Sequence, residues 1–165
     1  MNEKTKIAIV PGSFDPITNG HIDIVKRACQ DYDKIYVAVM INSSKKYMFT
    51  LEQRKNIAEA ALKELPNVEV ISSDGMLWEL AKKLNAIAIV KGYRNEIDLK
   101  YEQEMAEFNS AHYPEAQTVL LKADDALRDL SSTVIREMIL TGKNIEKYLP
   151  LAAIDEIGKI IPSFL

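Results

Sequence analysis

The sequence predicts an α/β fold: a doubly wound, Rossmann-like parallel sheet of five strands with helices on both faces. Three observations predict it. Five short apolar runs rich in β-branched residues recur along the 165 residues. Helical patterns with recognisable starts lie between them, and strands alternating with helices imply a parallel sheet covered on both faces. Right-handed crossovers then favour the doubly wound arrangement, whose ligands sit beyond the carboxyl ends of the strands.

The elements follow in order. Residues 6–10 (KIAIV) predict a buried strand, and the residues after the next loop place Ile22, Val25, Cys29 and Tyr32 on one helix face. Residues 34–42 (KIYVAVMIN) predict the second strand. Thr50 with Gln53 forms a capping box before LEQRKNIAEAALKEL. VEVIS at 68–72 is the third strand, and MLWELAKKL a shorter helix after Ser73-Asp74-Gly75. AIAIV at 86–90 is the fourth strand, followed by a helix over 97–110 that carries Leu99, Met105, Ala106 and Phe108 among many carboxylates. TVLLK at 118–122 completes the set. Ser131 or Ser132 caps TVIREMILTG, which Gly142 stops, and Leu151 to Ile160 forms a last amphipathic helix. No repeat, linker or low-complexity segment interrupts the chain, so residues 1–165 read as one domain.

Composition narrows the function classes. Hydrophobic residues make up 47% and charged residues 27%, as in a globular protein. A net charge of −3 argues against nucleic acid as a partner, although a local basic cluster can bind a small phosphate ligand. No apolar stretch is long enough to span a bilayer, and MNEKTK lacks a following h-region, so no membrane association and a cytoplasmic location are expected. The single Cys29 fits a reducing compartment and reads as a buried, inert thiol.

Four polar loops leave the same edge of the predicted sheet. PGSFDPITNGH, residues 11–21, ends in one of the chain's 2 histidines. Gly12 reads as a point of close backbone approach to a ligand, with Pro16 and Gly20 shaping the turn. Thr18 or Asn19 caps the helix starting near His21, whose free N–H groups attract an anion, and His21 adds a directional donor there. The second loop holds Lys45 and Lys46. The fourth-strand loop holds Lys91, Gly92 and Arg94, where Gly92 again permits close backbone approach to a ligand and Arg94 either forks onto a phosphate or pairs with Glu96 or Asp98. The last loop ends in Ser131, Ser132 and Thr133, which either cap a helix or seat a terminal phosphate. Together these groups point to a polyphosphate such as a nucleoside triphosphate. Glu102 stands out in the acidic helix because it lies one turn from the basic loop. No protein metal site is expected, since His21 and His112 lack matching ligand spacing; Mg²⁺ held by phosphates and water needs none. The G-x-G-x-x-G, Walker and G-x-S-x-G patterns are absent, which disfavours a nicotinamide dehydrogenase, a P-loop kinase and an α/β-hydrolase.

Thr18-Asn19-Gly20-His21 resembles the (H/T)-x-G-H signature of the nucleotidyltransferase α/β-phosphodiesterase superfamily. Taken with SKKYMFTLEQR, KGYR, YEQEMAEFN and SST, nearly the whole chain resembles the bacterial phosphopantetheine adenylyltransferases. The resemblance implies transfer of the adenylyl group of ATP to 4′-phosphopantetheine, giving dephospho-coenzyme A and pyrophosphate without a covalent enzyme intermediate. Mg²⁺ would accompany ATP, coenzyme A would act as a feedback inhibitor, and the assembly would be a homohexamer. By the same resemblance His21, Lys45, Arg94 and Ser13 are the catalytic set. Ser13, Phe14, His21, Gly92, Tyr93, Arg94 and Glu102 would bind ATP, with Leu127, Arg128, Asp129, Leu130, Ser131, Ser132 and Thr133 closing over it. Ser13, Lys45, Leu77 and Lys91 would bind the acceptor, Lys91 standing where members often carry Arg. Competing readings are another adenylyl- or cytidylyltransferase of the superfamily, a non-catalytic nucleotide-binding module, and a flavodoxin-like electron carrier.

Overall fold

A computed structural model describes residues 3–164; residues 1, 2 and 165 of the expected domain lie outside the described residues. Strands β1 (Ile7–Gly12), β2 (Lys34–Met40), β3 (Val68–Ser73), β4 (Ala88–Tyr93) and β5 (Gln117–Lys122) form one sheet in the order β3-β2-β1-β4-β5. Every pairing is parallel. The winding reverses between β1 and β4, which opens a crevice beyond their carboxyl ends. Helices α1 (Asn19–Ala28), α2 (Leu51–Leu62), α3 (Leu77–Lys83), α4 (Glu96–His112), α5 (Ser132–Leu140) and α6 (Leu151–Ile160) complete the fold.

Strand alternation divides the core into two. Ala8 and Val10 of β1 and Val90 of β4 pack with Val25 of α1, Ile57 of α2, Ile135 of α5 and Ile157 of α6. Ile9 and Ile89 point the other way, into a smaller cluster with Ala81 and Leu77 of α3 and Tyr113 at the end of α4. The doubly wound, five-stranded arrangement is therefore the one the sequence predicts. Among the described residues, no helix is long and apolar enough to cross a membrane.

Boundaries differ where the sheet overrides local pattern. The fourth strand spans Ala88–Tyr93 rather than 86–90, because Lys91, Gly92 and Tyr93 pair with Leu120, Leu121 and Lys122 of β5. β1 likewise runs on through Pro11 and Gly12, opposite Ala38 and Val39. Residues read as loop are thus strand ends, held more rigidly than a loop would hold them. α4 is longer than expected, and α1 ends at Ala28, leaving Tyr32 beyond it. Cys29 is half-buried rather than buried. Burial pushes its thiol pKa up, against a weaker opposing hydrogen bond with Asn67, so the protonated thiol is favoured.

Candidate active site

The first loop folds onto itself before it meets any ligand. Phe14 adopts a left-handed backbone conformation with φ 48°, unusual for a residue with a side chain. Its ring is buried, and it packs edge-on to His21 with centroids 5.1 Å apart. The same ring fills the space above Gly12, where a Cβ would lie 2.8 Å from Phe14 Cζ. Gly12 therefore makes room for Phe14, not for a ligand as the sequence suggested. Gly92 is corrected in the same way: a Cβ there would lie 3.0 Å from Cγ1 of Ile24 on α1. Gly12→Ala should displace the Phe14 ring and with it His21, lowering kcat roughly tenfold or more by misplacement alone. Steady-state kinetics would check this, and an unchanged kcat would count against the packing role.

Thr18 is the N-cap of α1, and His21 occupies the third helical position of a capping box. The Thr18 N–H donates to His21 Nδ1 at 3.0 Å, while the His21 N–H donates to Thr18 Oγ1 at 3.5 Å. An accepting Nδ1 carries no proton, so the neutral ring holds its proton on Nε2. Burial, and secondarily the nearby positive charge of Arg94, lower the His21 pKa from 6.5 to about 4. At neutral pH His21 is thus an uncharged hydrogen-bond donor of fixed tautomer.

An NMR titration of the His21 ring in the free protein should give a midpoint of about 4. A midpoint near 6.5 would place the ring in water and remove this account. The sign for stability follows. As pH falls from 6.5 towards 4, the unfolded chain binds a proton before the folded one, so this group weakens the fold across that window. Above 6.5 it contributes in neither direction.

Around His21 lies a cleft of about 410 Å³ lined by the first loop, Lys45, Lys46, Tyr47, Ser132, Thr133 and Arg136. Lys45 Nζ stands 3.5 Å from Ser13 Oγ, which brings the second loop to the first. Ser131 is the N-cap of α5, its Oγ accepting from the Val134 N–H at 3.3 Å. Ser132 Oγ donates to the Pro16 carbonyl at 2.8 Å, which ties the start of α5 to the first loop. The Leu127 and Leu130 carbonyl oxygens lie 3.9 and 3.8 Å from the position of a Cβ at Gly20, so segment 127–133 passes over the start of α1. Arg128 and Asp129 within it are exposed. Arg94 pairs with Asp98 through its Nε at 3.1 Å, the structural partner foreseen for it. Its two Nη groups make no hydrogen bond among the described residues, and they remain the fork that a phosphate would take.

The remaining candidates sit on the opposite face of the sheet edge. Alternation along β4 sends Gly92 towards α1, and Lys91 and Tyr93 towards α3 and α4. Lys91 Nζ forms an ion pair with Oε2 of Glu102 on α4. The resemblance gave these two side chains to different substrates, yet the structure joins them. Leu77, at the start of α3, packs on the same smaller core cluster.

Sequence reasoning missed Asp15, Arg54 and Arg136. The buried Asp15 carboxylate accepts the backbone N–H groups of Met48 and Phe49 at 2.9 and 3.0 Å. Arg54, on α2, donates to the carbonyls of Ser13 and Met40 at 2.7 and 3.0 Å. Arg136, on α5, donates to the Asp15 carbonyl at 2.9 Å. Arg54 and Arg136, on well-formed helices four and five residues after their N-caps Thr50 and Ser131, carry no local signal beyond ordinary surface charge.

A parallel sheet with cations, hydroxyls and two helix N-termini converging on its switch point has the architecture of a nucleotide-binding α/β protein. The cytidylyltransferase-like family model matches residues 9–138. A phosphopantetheine adenylyltransferase from Lactobacillus acidophilus is 42% identical over 154 residues, which cover 93% of this chain and 96% of that protein. Another, from Caldanaerobacter subterraneus, is 41% identical over 145 residues, covering 88% and 91%. The chain belongs to the phosphopantetheine adenylyltransferase family, within the cytidylyltransferase-like group. A solved structure from Vibrio parahaemolyticus, provisionally assigned as a nicotinate-nucleotide adenylyltransferase, shares the fold. It superposes with a TM-score of 0.64 at 18% identity, covering 93% of this chain and 99% of that one.

Proposed function

We propose that the protein transfers the adenylyl group of ATP to 4′-phosphopantetheine, releasing pyrophosphate and forming dephospho-coenzyme A. The observation that carries this reading is the His21 ring, held by Thr18 with its one free donor in a cationic cleft. The nucleophile is an ionised phosphate oxygen of the acceptor. It forms a bond to the α-phosphorus of ATP as the bond from that phosphorus to the bridging oxygen of pyrophosphate breaks. No protein base is required, and no covalent enzyme intermediate forms. The protein aligns the reactants and stabilises charge that grows on the α-phosphate.

In this reading His21 Nε2–H holds the α-phosphate, and Lys45 with Ser13 orients the attacking phosphate. Arg94, Ser132 and Thr133 bind the phosphate chain of ATP. Phe14, Gly92, Tyr93 and segment 127–131 border the nucleotide, while Leu77 and Lys91 border the acceptor. Glu102 is then the counter-charge of Lys91 as well as a neighbour of the nucleotide. Among the described residues, no group of three or more His, Cys, Asp or Glu side chains could hold a metal ion. In this reading Mg²⁺ enters with the substrate, as magnesium ATP, with phosphate and water oxygens around it.

Pyrophosphate release by the purified protein, with ATP and Mg²⁺, tests the reading. Release with 4′-phosphopantetheine and not with nicotinate mononucleotide is expected. Release with nicotinate mononucleotide alone would move the acceptor, and release with neither would leave a nucleotide-binding module. The same reading includes a homohexamer in the cytoplasm, inhibited by coenzyme A in this cleft. Ile97 on α4, 82% exposed, and Tyr101 on the same helix support burial against further copies. A solution mass six times the 18.6 kDa chain is expected.

A further inference from the structure

The proposed reaction gives no role to His112, the second of the chain's 2 histidines, or to the aromatic cluster it joins between α3 and α4. We propose that Trp78 and His112 are positioning residues for the acceptor: their stack fixes the first turn of α3 and with it Leu77. This inference rests on the adenylyl-transfer reading, which puts Leu77 beside the acceptor.

α3 is anchored firmly at one end only. At its carboxyl end Ala81 is fully buried, and the Ala81 carbonyl accepts the Ala86 N–H at 2.9 Å. At its amino end Asp74, Gly75 and Met76 are exposed, and Met76, the N-cap, supplies no side-chain hydrogen bond. A helix of 7 residues is too short to hold its own first turn. Leu77, in that turn, is only partly buried. The tie comes from the next residue. The Trp78 ring stacks on His112, with centroids 5.0 Å apart and planes at 25°. His112, in the last turn of α4, rests in turn on Phe108, with centroids 4.5 Å apart. Its Nδ1 donates to the Phe108 carbonyl at 2.9 Å, since a carbonyl can only accept. The imidazole is thus a platform held by a hydrogen bond and by a second ring. α4 meets both residues that border the acceptor: Lys91 through Glu102, and Leu77 through Trp78. Burial does not account for the cluster, because His112 is exposed and Phe108 is 40% exposed. A ring pair of this kind is worth roughly a two- to tenfold change in an equilibrium, enough to decide where a loosely held turn sits.

The test compares wild type, Trp78→Ala, His112→Ala and His112→Phe. KM is measured for both substrates, and 4′-phosphopantetheine binding is titrated calorimetrically without ATP. Hydrogen exchange is followed at the Leu80 amide, which donates to the Met76 carbonyl at 3.1 Å and closes the first turn of α3. Both alanine variants should speed that exchange. They should also weaken 4′-phosphopantetheine binding and raise its KM roughly three- to tenfold, with kcat and the KM for ATP within about twofold. His112→Phe keeps a ring under Trp78 and should recover most of the acceptor affinity. Unchanged Leu80 exchange in both alanine variants would overturn the proposal, as would faster exchange with unchanged acceptor affinity. Equal losses for both substrates with a lowered melting temperature would overturn it too, since that is the signature of a tie within the fold alone. No recovery in His112→Phe would overturn the stack as the cause. If Trp78→Ala does not fold, the two variants at the exposed His112 decide by the same criteria. Stack-dependent acceptor binding in a wild type that releases no pyrophosphate would support the positioning role and sink only the adenylyl-transfer reading. A wild type that binds no 4′-phosphopantetheine would overturn both.

Discussion

His21→Ala is expected to lower kcat on the order of 100- to 1,000-fold while changing ATP affinity only a few-fold. The split follows from the protonation state of the ring. Burial and Arg94 keep the imidazole neutral down to a pH of about 4, so it meets ATP as a dipole and not as a cation. A dipolar donor adds little to the binding of an already charged triphosphate, which the neighbouring cations attract more strongly. Its value rises as negative charge builds on the α-phosphate oxygens, and an interaction made chiefly in the transition state appears in kcat. The Thr18 N–H to Nδ1 bond makes the donor directional, because it fixes both the ring plane and the tautomer.

Alanine also removes half of a capping box, a loss worth about 1 kcal/mol of local stability. His21→Asn separates the two effects. Its amide oxygen can accept from the Thr18 N–H in place of Nδ1, but no donor reaches the Nε2 position. The Asn variant should therefore keep most of the helix entry and lose nearly as much kcat as Ala. A kcat within fivefold of wild type in both variants would show that His21 does not touch the reacting atoms. A collapse of ATP affinity with kcat retained would make it a ground-state ligand.

What could be read from sequence, and what could not, divides by the range of the interactions. The caps of α1 and α5 each span three positions, Thr18 to His21 and Ser131 to Val134, so the sequence showed both helix starts while leaving Thr18 or Asn19, and Ser131 or Ser132, as the capping residue. The convergence of four loops followed from parallel topology, which puts every strand's carboxyl end on one edge. The carrying residues of the scaffold are of another kind. Arg136 meets a carbonyl 121 positions away, and Arg54 one that is 41 positions away. Within LEQRKNIAEAAL, Arg54 has the appearance of a solvated helix charge, yet it is 1% exposed. Gly12 and Gly92 signalled close approach correctly and its object wrongly, because the approaching groups are Phe14 and Ile24. The Lys91–Glu102 pair was invisible for a related reason. Only the extension of β4 against β5 fixes which face Lys91 takes.

Arg54→Met is expected to cost about 3 kcal/mol or more of stability, as removal of a buried, hydrogen-bonded charge typically does. For a chain of this size that corresponds to a fall in melting temperature of about 6 to 12 °C. The guanidinium reaches from α2 to the ends of both β1 and β2: it holds the Ser13 and Met40 carbonyls and lies 3.9 Å over the face of Tyr47. Burial lowers its pKa, opposed by Tyr47 and Asp15, but an arginine so placed stays charged. Methionine fills most of the volume and leaves two buried carbonyls without their donor. The Tyr47 ring also loses its cation, and the second loop loses its fixed distance from the first. Ser13 and Lys45, 3.5 Å apart at their tips, depend on that distance. Activity should therefore fall even at temperatures where the variant is fully folded, with the acceptor KM rising as Lys45 loses its register. Arg54→Lys can restore the charge and one carbonyl bond but neither the fork nor the flat stack on Tyr47, so its melting temperature should lie between the other two. Calorimetric melting of the three proteins decides the matter. A Met variant within 2 °C of wild type would mean that the sheet edge holds its own geometry, with the two loops joined by backbone packing alone.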